Sequence, residues 1–352
     1  MAIVVIALIL LGWYGWNVIS AIDDAQDTAV VELPPRAATP DSQEATPTVP
    51  PQNNPSKMDV AQGVISTGTG AGAPDPKEVW TGRDSITFLV LGVDERPGDD
   101  ERNADSILLA RLDLNTRTLN AVSIPRDLQV EIPGYGLGKI NGAYNLGLDG
   151  DMDNRIGGVS LMRDTIELNF DVVIDEYVLV NFEGFTEIVD ALGGIDIDVP
   201  EAIHDPEYPT EDYGVTTFEV EAGPQRMDGE TALKYARTRS QDSDDARRER
   251  QMLVIMAMFE QGKDIGNLPR IVDIINAVGD SVQTGIDFRG QVSLARAALE
   301  MDEEDIQMWK VAPPLVEPGT SADGAWIYVG DQAEITAYIH AALDGTLPEE
   351  EP

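Results

Sequence analysis

The sequence predicts an α/β fold: a single domain with a central mixed β-sheet flanked by helices, preceded by a transmembrane helix and a disordered stalk. Three observations lead there. From about Trp80 onward, short runs rich in Val, Ile and Leu alternate with amphipathic helical stretches, without any repeat period. Between Glu32 and Glu78 the chain is rich in Pro, Thr, Ser, Gln, Asn and Gly. The first 22 residues are almost wholly apolar.

Taken in order, Met1 to Ile22 has Asn17 and Ser20 as its clear polar interruptions. About 20 helical residues cross a bilayer core of about 30 Å. Trp13, Tyr14 and Trp16 stand toward the far end, where aromatic rings favour the membrane interface. Residues 1–22 are therefore expected to be a membrane anchor. A cleaved signal peptide normally opens on basic residues, and the first Lys or Arg here is Arg36. Residues 23–79 are expected to be the stalk. Nine prolines fall between Glu32 and Glu78, and such a stretch cannot bury enough apolar surface to offset the entropy of ordering it. Residues 80–345 then form the domain, and 346–352 an acidic tail.

Within the domain, Ser85–Val93, Ser106–Asp113 and Thr118–Ile124 read as three strands. Arg155–Leu168 reads as a helix and Ile174–Asn181 as a strand. A helix from Phe182 to Leu192 stops at Gly193-Gly194, and Ile195–Val199 returns as a strand. Asp228 is placed to cap a helix running to Ala236. Asp244–Gln261, Arg289–Leu299 and Asp331–Leu343 are further helices; Ile306–Val311 and Trp326–Val329 are further strands.

Charge and composition narrow the chemistry. Lys plus Arg is 24 against 63 Asp plus Glu, a net charge of −39. A surface that acidic repels nucleic-acid phosphates, so nucleic acid is not an expected partner. The absence of cysteine removes disulfides, thiolate metal sites and thiol catalysis. His204 and His340 are too few for a His-rich metal site.

Arginine is the informative residue. Arg96, Arg102, Arg111, Arg117 and Arg126 fall in one short stretch, and Arg237, Arg239, Arg247, Arg248 and Arg250 in another. Surface ion pairs with the abundant acids are one reading; phosphate recognition by the planar guanidinium fork is the other. If the first three strands form a meander, Asp94 and Asp105 lie side by side at one end of the sheet, and the third strand delivers Arg126 to the same end. Two carboxylates without His or Cys suit a hard cation such as Mg2+; loop-flanking turn residues are the plainer reading. Arg237 and Arg239, two apart, point the same way only in an extended segment, so that segment is expected to be strand-like. In the following helix Arg247, Arg250 and Gln251 share one face, beside an apolar stripe of Met252, Ile255, Met256 and Phe259.

These residues fall in a series of motifs. They run Ile86–Asp94 with Glu95-Arg96, Arg102-Asn103-Ala104-Asp105-Ser106, Ser123-Ile124-Pro125-Arg126-Asp127, Ile132-Pro133-Gly134-Tyr135-Gly136 and Lys139-Ile140-Asn141-Gly142-Ala143-Tyr144. They continue with Leu192-Gly193-Gly194-Ile195, Gly223-Pro224-Gln225, Leu233 to Arg239 and Asp244 to Gln251. In order and content the set resembles the LytR-CpsA-Psr family over about Ile86 to Glu260. The resemblance implies a phosphotransferase of the bacterial cell membrane, single-pass, with its catalytic domain outside the cytoplasm. Such an enzyme moves a glycopolymer from a polyprenyl diphosphate carrier onto peptidoglycan or another wall acceptor. Carried over by motif, Asp94 and Asp105 hold Mg2+ (or Mn2+). Arg126, Arg237, Arg239, Arg247 and Gln251 bind the diphosphate, with Lys139 nearby and Arg96 and Arg102 supporting the head-group. Many members carry Arg two residues before the second Asp; here that position is Asn103, and Arg102 stands one step earlier. Asp105 is the nominated proton acceptor. Val159, Leu161, Ile166, Tyr177, Leu179, Phe182, Phe185 and Ile188 are candidates for an apolar lipid slot or simply for core. Hydrolysis of the carrier and a non-catalytic polysaccharide-binding module remain the alternative functions.

Overall fold

Strand Ser85–Val93 (β1) sets the architecture, because its side chains alternate between two cores. Ile86, Phe88 and Val90 face one buried cluster, and Leu89, Leu91 and Val93 face the other. A strand buried on both faces must sit in the middle of a three-layer fold. In the computed structural model, which describes residues 33, 74–94, 102–151, 154–210, 214–238, 244–264 and 282–348, it does.

The other strands of the central sheet are Ala104–Asp113 (β2), Leu119–Ile124 (β3), Glu176–Asn181 (β6), Val282–Thr284 (β11) and Ile306–Lys310 (β12). The strand order is β11-β6-β1-β2-β3-β12. β1, β2 and β3 form the expected antiparallel meander, β6 runs parallel to β1, and β12 runs parallel to β3. The sheet is mixed, as the sequence predicts. β2 starts two residues earlier than expected, beyond a register shift at Gly92/Val93. At the far end, the turn after β2 is held by Asp113, whose carboxylate accepts from the backbone N–H groups of Asn115 and Thr116 at 2.7 and 2.8 Å. Arg117, at φ 64°, completes that turn.

Smaller elements cover the sheet. Hairpin Gln129–Ile132 (β4) and Gly136–Lys139 (β5) turns through Gly134 and Gly136, both at φ 82°, a conformation that favours glycine. It leads into helices Gly142–Gly147 (α2) and Arg155–Phe170 (α3). These two helices touch backbone to backbone: a Cβ at Gly147 would lie 2.4 Å from the Gly157 carbonyl oxygen. Helix Phe182–Ala191 (α4), strands Ile195–Val199 (β7), Ile203–Pro209 (β8), Val215–Val220 (β9) and Gly223–Met227 (β10), and helices Gly229–Arg237 (α5), Asp244–Asp264 (α6) and Phe288–Glu300 (α7) follow. Hairpin Glu317–Thr320 (β13) and Trp326–Val329 (β14) and helix Gln332–Leu343 (α8) complete the domain. Ile195–Val199 and Trp326–Val329 are strands as expected; their partner strands, and the β4–β5 and β8–β9 hairpins, were not anticipated from sequence, because those strands are short and lack a long apolar run.

The described structure extends before residue 80. Pro76–Val79 (α1) is capped by the Asp75 side chain, which also pairs with Arg117. Leu33, within the segment read as stalk, packs against one core cluster. The expected anchor 1–22, most of 23–79 and residues 349–352 lie outside the described residues. Among the described residues, no helix is long and apolar enough to cross a membrane.

Candidate functional site

Sheet topology gathers the site. β1 and β6 are parallel, so Asp94 after β1 and Asn181 at the end of β6 emerge on the same side. β2 is antiparallel to β1 and opens there, with Asp105 its second residue. β3 ends there and is followed by Pro125 and Arg126. Asp94, Asp105 and Arg126 all line one cavity of about 540 Å3. Arg126 Nη1 donates to Asp105 Oδ1, and each side chain keeps about a fifth to a quarter of its surface exposed. The convergence expected from the meander is present.

The roof of the cavity is helical. Asn181 caps α4 by accepting from the Gly184 N–H at 2.8 Å, which brings Phe182 and Phe185 to the cavity wall. Asp228 caps α5 by accepting from the Thr231 N–H at 2.9 Å, as expected. The Thr231 hydrogen bonds hold the Asp228 carboxyl below its usual range. Arg237 is the last residue of α5. The sequence pattern placed it in a strand-like segment; it is helical, and the chain becomes extended only at Thr238. The Arg237 guanidinium lies 3.9 Å from the centre of the Phe182 ring, donates to Asp94 Oδ2 at 3.2 Å and reaches the Tyr208 hydroxyl at 3.5 Å.

Helix α6 divides its basic residues among three tasks. Arg247 and Gln251 line the cavity. Arg250, expected on the same wall, is buried, and donates to the carbonyl oxygens of Tyr235 (3.0 Å) and Thr238 (2.5 Å). It thereby satisfies carbonyls at the C-terminal end of α5. Arg248 donates to the Val311 carbonyl oxygen at 2.6 Å. The expected apolar stripe is also rotated: Val254, Met258 and Phe259 are buried, whereas Met252, Ile255 and Met256 are half-buried.

Apolar residues complete the lining: Val180, Phe182, Phe185, Leu233, Val254 and Ile255. Of the candidate lipid-slot residues, Phe182 and Phe185 line the cavity. Val159, Ile166, Tyr177, Leu179 and Ile188 are core, and Leu161 packs against it. Reasoning from sequence missed Asp205, Glu207 and Tyr208 on β8. Asp205 is buried and accepts from the Thr238 hydroxyl at 2.5 Å, tying β8 to the end of α5. Burial along β8 alternates from Ile203 to Asp205 and then breaks at the Asp205/Tyr208 register shift, so no clean two-residue period marked these positions in the sequence.

Two expected residues stand elsewhere. Lys139 lines a second cavity and donates to Asp127 at 2.6 Å. Arg102 is not among the lining residues of either cavity; its backbone N–H donates to Asn145 Oδ1 at 3.0 Å, while Asn103 faces the second cavity. Arg96 and Arg239 lie outside the described residues. Among the described residues no cluster of three or more His, Asp or Glu side chains could by itself hold a metal ion. Asp94 and Asp105 offer two carboxylates, which suits a cation that completes its shell with water and phosphate oxygens.

A sequence model of the LytR_cpsA_psr family matches residues 53–342. The chain belongs to that family. Among its relatives, the polyisoprenyl-teichoic acid–peptidoglycan teichoic acid transferase TagU of Oceanobacillus iheyensis is 31% identical over 280 residues, covering 78% of this chain and 79% of its own. The TagU of Bacillus licheniformis is 32% identical over 267 residues, covering 74% of this chain and 79% of its own. The crystal structure of B. subtilis TagV shares the fold with a TM-score of 0.60 at 23% identity, over 75% of this chain and 99% of that one. The structure of TagT bound to LIIa-WTA aligns with a TM-score of 0.58 at 25% identity, over 77% of this chain and 93% of that one. In this LytR_cpsA_psr member, five of the motifs that carry the resemblance supply Asp94, Asp105, Arg126, Arg237, Arg247 and Gln251 to the cavity lining.

Proposed function

We propose that this protein transfers a glycopolymer phosphate from a polyprenyl diphosphate carrier to a hydroxyl of a cell-wall acceptor, peptidoglycan being the one its relatives' names point to. The reading extends to placement: residues 1–22 anchor the chain once in the bacterial cell membrane, and the domain acts outside the cytoplasm. One observation carries it. A single cavity joins Asp94, Asp105, Arg126, Arg237 and Arg247 to a wall of Phe, Val, Leu and Ile side chains, which matches an anionic head-group on an apolar tail.

Charge arithmetic supports a bound divalent cation. The described lining carries four carboxylates (Asp94, Asp105, Asp205, Glu207) and three guanidiniums (Arg126, Arg237, Arg247), a net charge of −1. A diphosphate needs a positive environment, and one divalent ion on Asp94 and Asp105 turns −1 into +1. Guanidinium contact and metal ligation are compatible on one carboxylate, which has two oxygens. Mg2+, when bound, neutralises phosphate oxygens and lets charge develop on the leaving group.

The chain's own residues do the rest. Arg237, held by the Phe182 face and Asp94, and Arg126, held by Asp105, fix the diphosphate oxygens. The acceptor hydroxyl oxygen bonds to the phosphorus bearing the glycan. The bond from that phosphorus to the bridging oxygen breaks, and polyprenyl phosphate leaves with the bond pair. The hydroxyl proton passes to the Asp105 carboxylate and on to water. Arg126→Ala should lower affinity for a polyprenyl diphosphate glycan at least tenfold while leaving the melting temperature within a few degrees. Unchanged affinity overturns the reading. Release of phosphorylated glycan by water at the same rate with and without acceptor would establish a hydrolase instead.

A further inference from the structure

The second cavity, of about 410 Å3, shares Asp105 and Arg126 with the first. That one ion pair belongs to the lining of both. Its other lining is polar: Asn103, Asp127, Lys139 and Asn141, with Ile132 and Leu146 among the apolar contacts. Its charges cancel within the lining, Arg126 and Lys139 against Asp105 and Asp127, and both cations are bonded to those acids. A self-neutralised cavity of amides and ion pairs is a poor host for a second anion or a prenyl chain. It suits a neutral ligand rich in hydroxyl and amide groups.

An aromatic surface adjoins it. The Tyr328 N–H on β14 donates to the Asp127 carbonyl oxygen at 2.9 Å, so the β13–β14 hairpin is bonded to the cavity wall. Trp326, two residues earlier, packs edge-on against Tyr328 with ring centres 4.8 Å apart and remains 46% exposed. At the tip of the same hairpin, Asp323 is held below the usual carboxylate range, first by the Ser321 hydroxyl and more remotely by the Lys139 charge. A braced, half-exposed indole on a strand bonded to the backbone of a lining residue, with a cavity of amides and carboxylates, is a combination that suits sugar rings, whose edges hydrogen-bond and whose apolar faces stack.

Resting on the transfer reading above, we infer that this second cavity together with Trp326 is the acceptor subsite: it takes a saccharide of the wall polymer and brings its hydroxyl to the diphosphate at the Asp105–Arg126 pair that both cavities share. Asn141 is a recognition residue there. It occupies the N-cap position of α2 yet makes no side-chain capping bond, and it lines the cavity.

The test uses the full chain in detergent with Mg2+, a polyprenyl diphosphate glycan as donor and uncrosslinked peptidoglycan strands as acceptor probe. Trp326→Ala and Asn141→Ala should raise the acceptor KM at least tenfold and weaken direct binding of the strands. Donor affinity should stay within twofold, and Trp326→Phe should recover most of the loss. Unchanged acceptor KM and strand binding in both alanine variants overturn the inference, and so does an equal loss of donor affinity. If the wild type binds strands through Trp326 but transfers nothing, the transfer reading fails while the saccharide subsite stands.

Discussion

The contact between Arg237 and Phe182 offers a quantitative test of how the site holds its guanidinium. Phe182→Leu keeps an apolar side chain on the cavity wall but removes the π face that lies 3.9 Å from the guanidinium carbon. Such contacts are worth about 0.5–1 kcal/mol when exposed and about 2 kcal/mol when desolvated. Arg237 and Asp94 are 21% and 19% exposed, which favours the upper half of that range, about 1–2 kcal/mol. At about 1.4 kcal/mol per decade, kcat/KM for the donor should fall about 5- to 30-fold. Arg237→Ala, which also removes charged hydrogen bonds to a diphosphate, should cost about 100-fold. The decisive measurement is the double-mutant cycle. If Phe182 acts by steadying Arg237, then adding Phe182→Leu to Arg237→Ala should change kcat/KM by less than about twofold. Equal losses in both backgrounds would mean that Phe182 serves only the apolar tail, and the positioning argument would be wrong.

Other outcomes follow from particular contacts. Burial, with Asp175 and Asp287 nearby, pushes Glu176 from an ordinary 4.5 up to about 7 against the Trp80 hydrogen bond and the Arg83 charge. A raised carboxyl pKa favours the protonated folded form, so stability should fall between pH 4.5 and 7 and level off above. Glu176→Gln should match the wild type at pH 4.5 and exceed it at pH 8 by up to about 3 kcal/mol in urea unfolding; parity at pH 8 refutes the assignment. Asp205→Ala leaves the Thr238 hydroxyl without its buried partner and should cost about 1–3 kcal/mol of stability, whereas the pair Asp205→Ala with Thr238→Val should recover part of it. Arg247→Ala should weaken donor binding, whereas Arg250→Met should leave donor binding within about twofold and lower the melting temperature, since one lines the cavity and the other serves the end of α5.

Those last two residues show where reading the sequence succeeds and where it stops. The meander was legible because Ser85–Val93 and its successors are continuous apolar strands, and a meander fixes which strand ends meet. The strand pattern alone therefore suffices to bring Asp94, Asp105 and Arg126 together. Arg247 and Gln251 were legible from helical spacing. Arg250 has nearly the same spacing from Arg247 and a different task, because helical phase gives the direction in which a side chain leaves the helix but not what stands there. The carbonyls at the end of α5 stood there. Arg237 failed for a related reason: a two-residue spacing invited an extended chain, while the cap at Asp228 and the helix-forming run to Ala236 carried the helix one residue further. Lys139 and β8 were hidden because short hairpins carry little periodic signal, and hairpins decide which cavity a residue enters.

The arginines also explain how so acidic a chain can host an anionic ligand. A net charge of −39 spread over the molecule would repel a diphosphate, yet solvent and salt screen charges beyond about 8–10 Å. What the ligand meets is the local lining. There each of two guanidiniums is already braced, Arg126 by Asp105 and Arg237 by Asp94 and Phe182, so little side-chain freedom remains to be lost on binding. Bracing by carboxylates lowers the net positive charge while raising order, and a divalent cation would restore the charge without loosening the arrangement. The same Asp105–Arg126 pair then faces two cavities of opposite character, one amphiphilic and one polar and self-neutralised. Transfer, unlike binding alone, needs the acceptor oxygen within about 3–3.5 Å of the phosphorus, and a residue pair common to both linings is where two ligands can come that close.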